Sequence, residues 1–140
     1  MKYLFGVLVL SGAFSVAGLP VKAQQFTTAA EVRPILEATQ ANWVAVREYD
    51  GKDILYFTHL LAWRCGLEQV EFAVNGREMQ RFELEPCYMD EAQPNAIKAN
   101  DLLPFLNFEL KSVDEVQVTL TYDDGVTASA TYARAAIMIN

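Results

Sequence analysis

His59 is the one histidine of the chain. As a general base it needs a nucleophile within hydrogen-bond reach and a third group to orient its ring. Thr58 adjoins it, but in a strand successive side chains leave on opposite faces. Beyond residue 23 the serines are Ser112 and Ser129, and neither sits in a G-x-S-x-G elbow. A structural His59 is the expectation. Carboxylates come in pairs: Asp50 with Asp53, Asp90 with Glu91, Asp114 with Glu115, Asp123 with Asp124. Glycoside hydrolysis needs two carboxyls facing each other across a cleft, whereas Asp in short polar runs is ordinary turn chemistry. Asp50-Gly51-Lys52-Asp53 lacks the spaced ligand set of a calcium loop. Turn chemistry is expected at all four pairs. No catalytic, cofactor-binding or metal-ligating residue is assigned, and no cofactor is expected.

Cys65 and Cys87 are the two cysteines. They form no C-x-x-C, and a single histidine is a poor complement for a metal site. Two cysteines allow one pairing, and in an exported chain they read as a disulfide. Cys–His catalysis would consume a cysteine that the disulfide needs. Trp43, Tyr49, Tyr56, Phe57, Trp63 and Tyr88 gather around the first hairpin and the first cysteine. Core packing is their default role. If Trp43, Tyr49, Tyr56, Trp63 and Tyr88 share an exposed face, they form an interaction surface for a sugar or a protein.

Export is read from residues 1–23. Lys2 supplies a positive start and an apolar stretch runs from Tyr3 to Leu19. Val21-Lys22-Ala23 is a small-residue cleavage site. Ser11, Gly12, Ser15 and Gly18 break the apolar run, which falls short of the roughly 20 residues that span a bilayer. No cysteine follows it to carry a lipid. The expected domains are a signal peptide, 1–23, and one β-rich domain, 24–140, with no membrane-spanning segment after cleavage. Lys2 and Lys22 lie in the leader, so the 11 basic residues fall to 9 against 18 acidic ones, a net charge of −9. Such a chain repels nucleic acid and anionic lipid.

Periodicity places the elements. Thr28-Ala29-Ala30-Glu31 matches a capping box, and a short helix with Val32, Ile35, Leu36 and Thr39 on one face is expected up to about Gln40. Pro34 is awkward there, and a start near Arg33 with Pro34 first is the alternative. Trp43 to Tyr49 reads as a strand, Asp50 to Asp53 as a turn, and Ile54 to Trp63 as a strand covered on both sides. A buried helix from Thr58 to Arg64 is the rival. Val70, Phe72 and Val74 alternate up to Asn75-Gly76, a hairpin signal, and Gln80, Phe82 and Leu84 lie on the return. A two-residue turn pairs positions summing to 151. A three-residue loop gives 152, which sets Val70 opposite Phe82 and Cys65 opposite Cys87. The disulfide then pins the open end of this hairpin and fixes its register, unless a bulge at Gly66 shifts the count. Tyr88 to Asp101 is the expected surface loop. Leu102 to Leu110 returns to apolar character, and Pro104 suits a strand start or an edge. Lys111 to Asp114 is a turn. Glu115 to Tyr122 and Val126 to Tyr132 alternate as two half-buried strands around Asp123-Asp124-Gly125, and Ala135 to Ile139 extends the last one past a kink near Arg134.

One short N-terminal helix and about seven hairpin-joined strands give a mainly β fold. The reading is a small antiparallel two-sheet sandwich of immunoglobulin-like architecture. An open antiparallel sheet with helices on one face is second. The cysteine spacing is too short for the inter-sheet bridge of antibody domains.

The run Trp43 to Gly51, continuing through Tyr56 to Leu67 and Val74-Asn75-Gly76 to Cys87, resembles a group of small exported bacterial proteins. The resemblance covers about two thirds of the chain beyond the leader. It implies export and paired cysteines, and it assigns no activity, substrate or catalytic residue. The expected function is an exported, periplasmic or secreted, disulfide-stabilised binding or protein-interaction module of the bacterial envelope, whose partner is an envelope protein or a saccharide. The alternatives are a small envelope hydrolase or lyase with loop-borne residues, and an inhibitor or accessory subunit that docks by a sheet edge. A pocket with convergent polar groups around His59 or a carboxylate pair would favour an enzyme. An exposed aromatic patch or an unpaired strand edge would favour an interaction module.

Overall fold

The computed structural model describes residues 11–15 and 25–140. Apart from 11–15, which carry no regular structure, the expected leader lies outside the described residues.

The first helix, α1, spans Ala29–Ala38. Thr28 caps it, accepting from the Glu31 amide at 3.3 Å. The Glu31 carboxylate accepts from the Thr28 hydroxyl at 2.9 Å and from the Phe26 amide at 3.1 Å instead of from the Thr28 amide. Asp123 accepts a further first-turn amide, that of Ala29, at 3.0 Å. With its first turn satisfied, the helix starts here and runs through an exposed Pro34; it does not begin at Arg33. Ala29, Val32 and Leu36 are its buried stripe, and the Trp43 indole donates to the Leu36 carbonyl at 2.9 Å.

Seven strands come next, all paired antiparallel. They are β1 (Ala45–Tyr49), β2 (Lys52–Tyr56), β3 (Leu67–Val74), β4 (Gln80–Phe82), β5 (Phe105–Glu109), β6 (Glu115–Tyr122) and β7 (Thr127–Ala133). One sheet has the order β1-β2-β5 and the other β4-β3-β6-β7. The mainly β, two-sheet architecture expected above is therefore present. An immunoglobulin constant domain, lettered in chain order, places A-B-E-D in one sheet and C-F-G in the other. Here the order is the same except that the fourth strand pairs with the third and not with the fifth.

Three local expectations are corrected. The first turn is only Asp50-Gly51, both at positive φ (51° and 72°), and Lys52 and Asp53 already belong to β2. The strand expected over Ile54 to Trp63 stops at Tyr56; a short helix α2 (Thr58–Leu61) and a 3-10 turn (Arg64–Gly66) come after it. Phe57, Leu60 and Leu61 are all buried, so a buried helix and a doubly covered strand show the same apolar run. The segment after β7 is a short helix α3 (Arg134–Ile137), after which Met138 pairs in parallel with Val46.

The middle hairpin has the register with sum 152: Val70 faces Phe82, Glu71 faces Arg81 and Phe72 faces Gln80. Cys65 and Cys87 are bonded, with Cα atoms 5.2 Å apart. The bulge falls between Leu67 and Gln69 on the β6 side, which leaves this count intact.

Phe57, just beyond β2, joins the two sheets. Its ring stacks on Phe82 at 4.0 Å and meets Phe72 edge-on at 5.1 Å. Helix α1 closes the core over Gly66, where a Cβ would stand 2.4 Å from Val32 Cγ2 and 2.6 Å from the Thr28 carbonyl oxygen. Backbone cannot yield as a side-chain tip does. Gly66→Ala is expected to destabilise the protein by about 2 kcal/mol, the scale of overpacking, read as a lowered urea midpoint. An unchanged midpoint would contradict the packing of α1 on this residue.

Candidate functional site

The residues between β4 and β5, 83–104, form no regular structure. A single buried cation organises them. Arg64, 2% exposed, directs its donors at five carbonyls: Leu61 (2.9 Å), Glu85 (2.7 Å), Pro86 (2.7 Å), Asn95 (2.8 Å) and Ala96 (2.9 Å). A guanidinium carries five N–H groups in a fixed fork, so none is left over. Burial lowers its pKa and the nearby Glu85 charge raises it. The Glu85 carboxylate, also buried, accepts from the Tyr88 hydroxyl and from the amides of Lys98 (2.8 Å) and Ala99 (3.3 Å). Burial works to raise its pKa, but these hydrogen bonds and the Arg64 charge hold it below the ordinary value.

A third buried charge sits near the start of β2. Asp53 is fully buried. It accepts from the Lys111 amide (2.9 Å), the Val113 amide (3.0 Å) and both terminal nitrogens of Arg134. Arg134 also bonds the Val113 carbonyl and Glu48. The Arg134 hydrogen bonds, with the two amides, bring the Asp53 carboxyl from 3.8 down to about 2 despite its burial.

Several of the other chemical candidates also serve the fold. The Thr39 hydroxyl donates to the Ile35 carbonyl at 2.7 Å, so it accepts the His59 Nε2–H at 2.8 Å. Burial lowers the His59 pKa. His59 thus ties α2 to the end of α1. Asp123 caps α1, Asp124 pairs with Arg33, and Glu91 pairs with Lys98 at 2.7 Å. The amides of Asp114 and Glu115 both bond Asn75 Oδ1, and Asp50 lies in its turn. Ser129 Oγ bonds Thr119 across the strands, and Ser112 serves the turn through its main chain. Among the described residues no three His, Cys, Asp or Glu side chains could hold a metal together.

The five aromatics that would form an interaction surface if they shared an exposed face lie in several places. Trp43 is 1% exposed and belongs to the core, where the Leu36 carbonyl satisfies its indole N–H. Tyr49 and Tyr56 occupy the outer face of the three-stranded sheet, Tyr49 under Arg47 and Tyr56 against Phe105. Trp63 meets Phe26 edge-on at 5.0 Å. Tyr88 bonds Glu85 and lies beneath the Lys98 ammonium.

Two of the open grooves among the described residues border the loop 83–104. One, of about 400 Å³, is walled by Phe26, Trp63, Pro94 and Asn95. Asn95 is already engaged there, bonding the Cys65 amide and the Phe26 carbonyl. The other, of about 450 Å³, lies between β4 and β5, where the rims of the two sheets come together. Sequence reasoning singled out neither Arg64 nor this groove. A lone Arg ending a long apolar run was the available signal for the first, and Pro104 ahead of β5 was a partial signal for the second.

No protein-family model, curated protein or solved structure matches the chain. No helix among the described residues is long and apolar enough to cross a membrane.

The buried charges generate two testable outcomes. Arg64→Leu keeps the bulk but leaves five carbonyls unpaired, so it should cost about 3 kcal/mol. It should also speed proteolysis within 83–104 while Cys65–Cys87 stays intact. Asp53 has a depressed pKa, so its contribution is complete above its unfolded value and is lost as pH falls toward about 2. Between pH 4 and 2 the wild type should lose stability more steeply than Asp53→Asn, as monitored by urea midpoints.

Proposed function

We propose that this chain is an exported, disulfide-stabilised binding module of the bacterial envelope that performs no chemistry of its own. One contrast supports the reading. The sole histidine and the two buried carboxylates (His59, Asp53, Glu85) are each bound into the fold, whereas a groove beside a strand edge stays open. Catalysis needs groups free to meet a substrate, and recognition needs only complementary surface. The Cys65–Cys87 bond suits an oxidising compartment, and the pattern of residues 1–23 suits an export signal. The partner is an envelope protein or a saccharide.

The test is intact-mass analysis of the chain recovered from the envelope fraction of a bacterial host. The expected species begins at Gln24 and lacks both thiol hydrogens. Retention of the leader, or two free thiols in folded material, would overturn the reading.

A further inference from the structure

We propose that the free edge of β5 receives an extended, basic segment of another polypeptide, which adds a fourth strand to the β1-β2-β5 sheet. This rests on the binding-module reading and specifies its partner.

The hydrogen-bond alternation shows which backbone groups are unpaired. The Phe57 amide donates to the Pro104 carbonyl at 2.8 Å, so residues 57 and 104 are a hydrogen-bonded pair. Bonded and non-bonded pairs alternate along an antiparallel ladder. Leu55 with Leu106 and Asp53 with Phe108 are therefore bonded as well. The peptide groups of Phe105 and Asn107 point away from β2, and no backbone partner meets them among the described residues.

The other edges are not equivalent. On β1, the outward Val46 carbonyl is taken by the Ile139 amide at 2.9 Å. β4 has only three residues. The outward positions of β7 carry Thr127, Ser129 and Thr131, and Gln40 reaches the Ser129 carbonyl. β5 shares an apolar groove with the shorter β4, and Phe72, Phe82 and Leu106 contribute to it, with Leu103 54% exposed beside it. Its five residues contain no Lys, Pro or bulge to discourage pairing.

Charge selects the partner. Glu83 and Asp101 line the groove, and Glu109 ends the strand. None of the three pairs with a cation among the described residues; Arg81 is the one cation in the groove wall. A second copy of this chain without its leader, 9 basic against 18 acidic residues, brings a net charge of −9 to the same place and is repelled. An incoming strand with Lys or Arg alternating with apolar residues satisfies the backbone, the groove and the carboxylates together.

The probe is a displayed library of random extended peptides, selected on the disulfide-intact protein. Selected peptides should alternate basic and apolar residues and shift the amide resonances of Phe105 and Asn107. Asn107→Pro removes an outward N–H and leaves the β2 ladder alone. It should weaken the selected peptide about tenfold, the scale of one backbone hydrogen bond. Should that variant fold poorly, N-methylation of alternate peptide residues tests the same contact on the wild type: one phase should abolish binding and the other should spare it. Equal binding by both phases, or no selected peptide, would overturn the proposal. Shifts confined to the groove at Phe26 and Trp63 would overturn it while leaving the binding-module reading intact. A dimer that Asn107→Pro dissolves would assign the edge to a second copy and overturn it as well.

Discussion

The Arg64 guanidinium, with its five carbonyls, is the contact that the surrounding elements are built around. The carbonyls come from three stretches: the end of α2, the chain just past β4, and the turn at Asn95-Ala96. A buried backbone carbonyl without a partner is costly. One side chain solves that problem for a segment that forms neither helix nor strand. The disulfide acts at the same place, since Cys65 follows Arg64 and Cys87 follows Pro86. A covalent tie and a fan of hydrogen bonds thus hold adjacent residues. The covalent tie limits where the chain can go when unfolded; the guanidinium determines how it lies when folded.

Ionisable groups are arranged around the two ends of β2. Asp53 and Arg134 join its start to the β5–β6 turn and the last helix. Arg64 and Glu85, beyond its other end, hold the long loop. Between them the interior is apolar, with Phe57 bridging the sheets. Charges buried this way are stable because each is surrounded by fixed donors or acceptors. The same arrangement commits their hydrogen-bonding capacity to the fold, and the edge of β5 and the groove beside it stay open.

The topology explains why one edge is open. In the constant-domain order the fourth strand lies beside the fifth. Here a hairpin at Asn75-Gly76 and the Cys65–Cys87 bond keep β4 on β3. The chain then crosses to the other sheet through 83–104, and β5 becomes its rim. Moving one short strand between sheets turns a covered strand into an exposed one.

Features that depend on neighbours a few residues apart were legible in the chain before any fold was known. Alternation at Glu115 to Tyr122 marked β6, Thr28-x-x-Glu31 marked the start of α1, and the pairing arithmetic around Asn75-Gly76 brought Cys65 to Cys87. These features are local because strand period, cap geometry and hairpin register are set by adjacent dihedrals. Contacts between distant segments settled the remainder. The apolar run after Tyr56 is a helix that its sequence could not tell from a strand, because burial on all sides leaves no periodicity to read. Trp43 went inward with the rest of the core, and a carbonyl on α1 satisfies its indole there. Arg64 became a hub because carbonyls more than twenty residues away came within reach of its fork. The edge of β5 was left bare by the choice of sheet for β4, a choice made by long-range packing rather than by any residue of β5 itself.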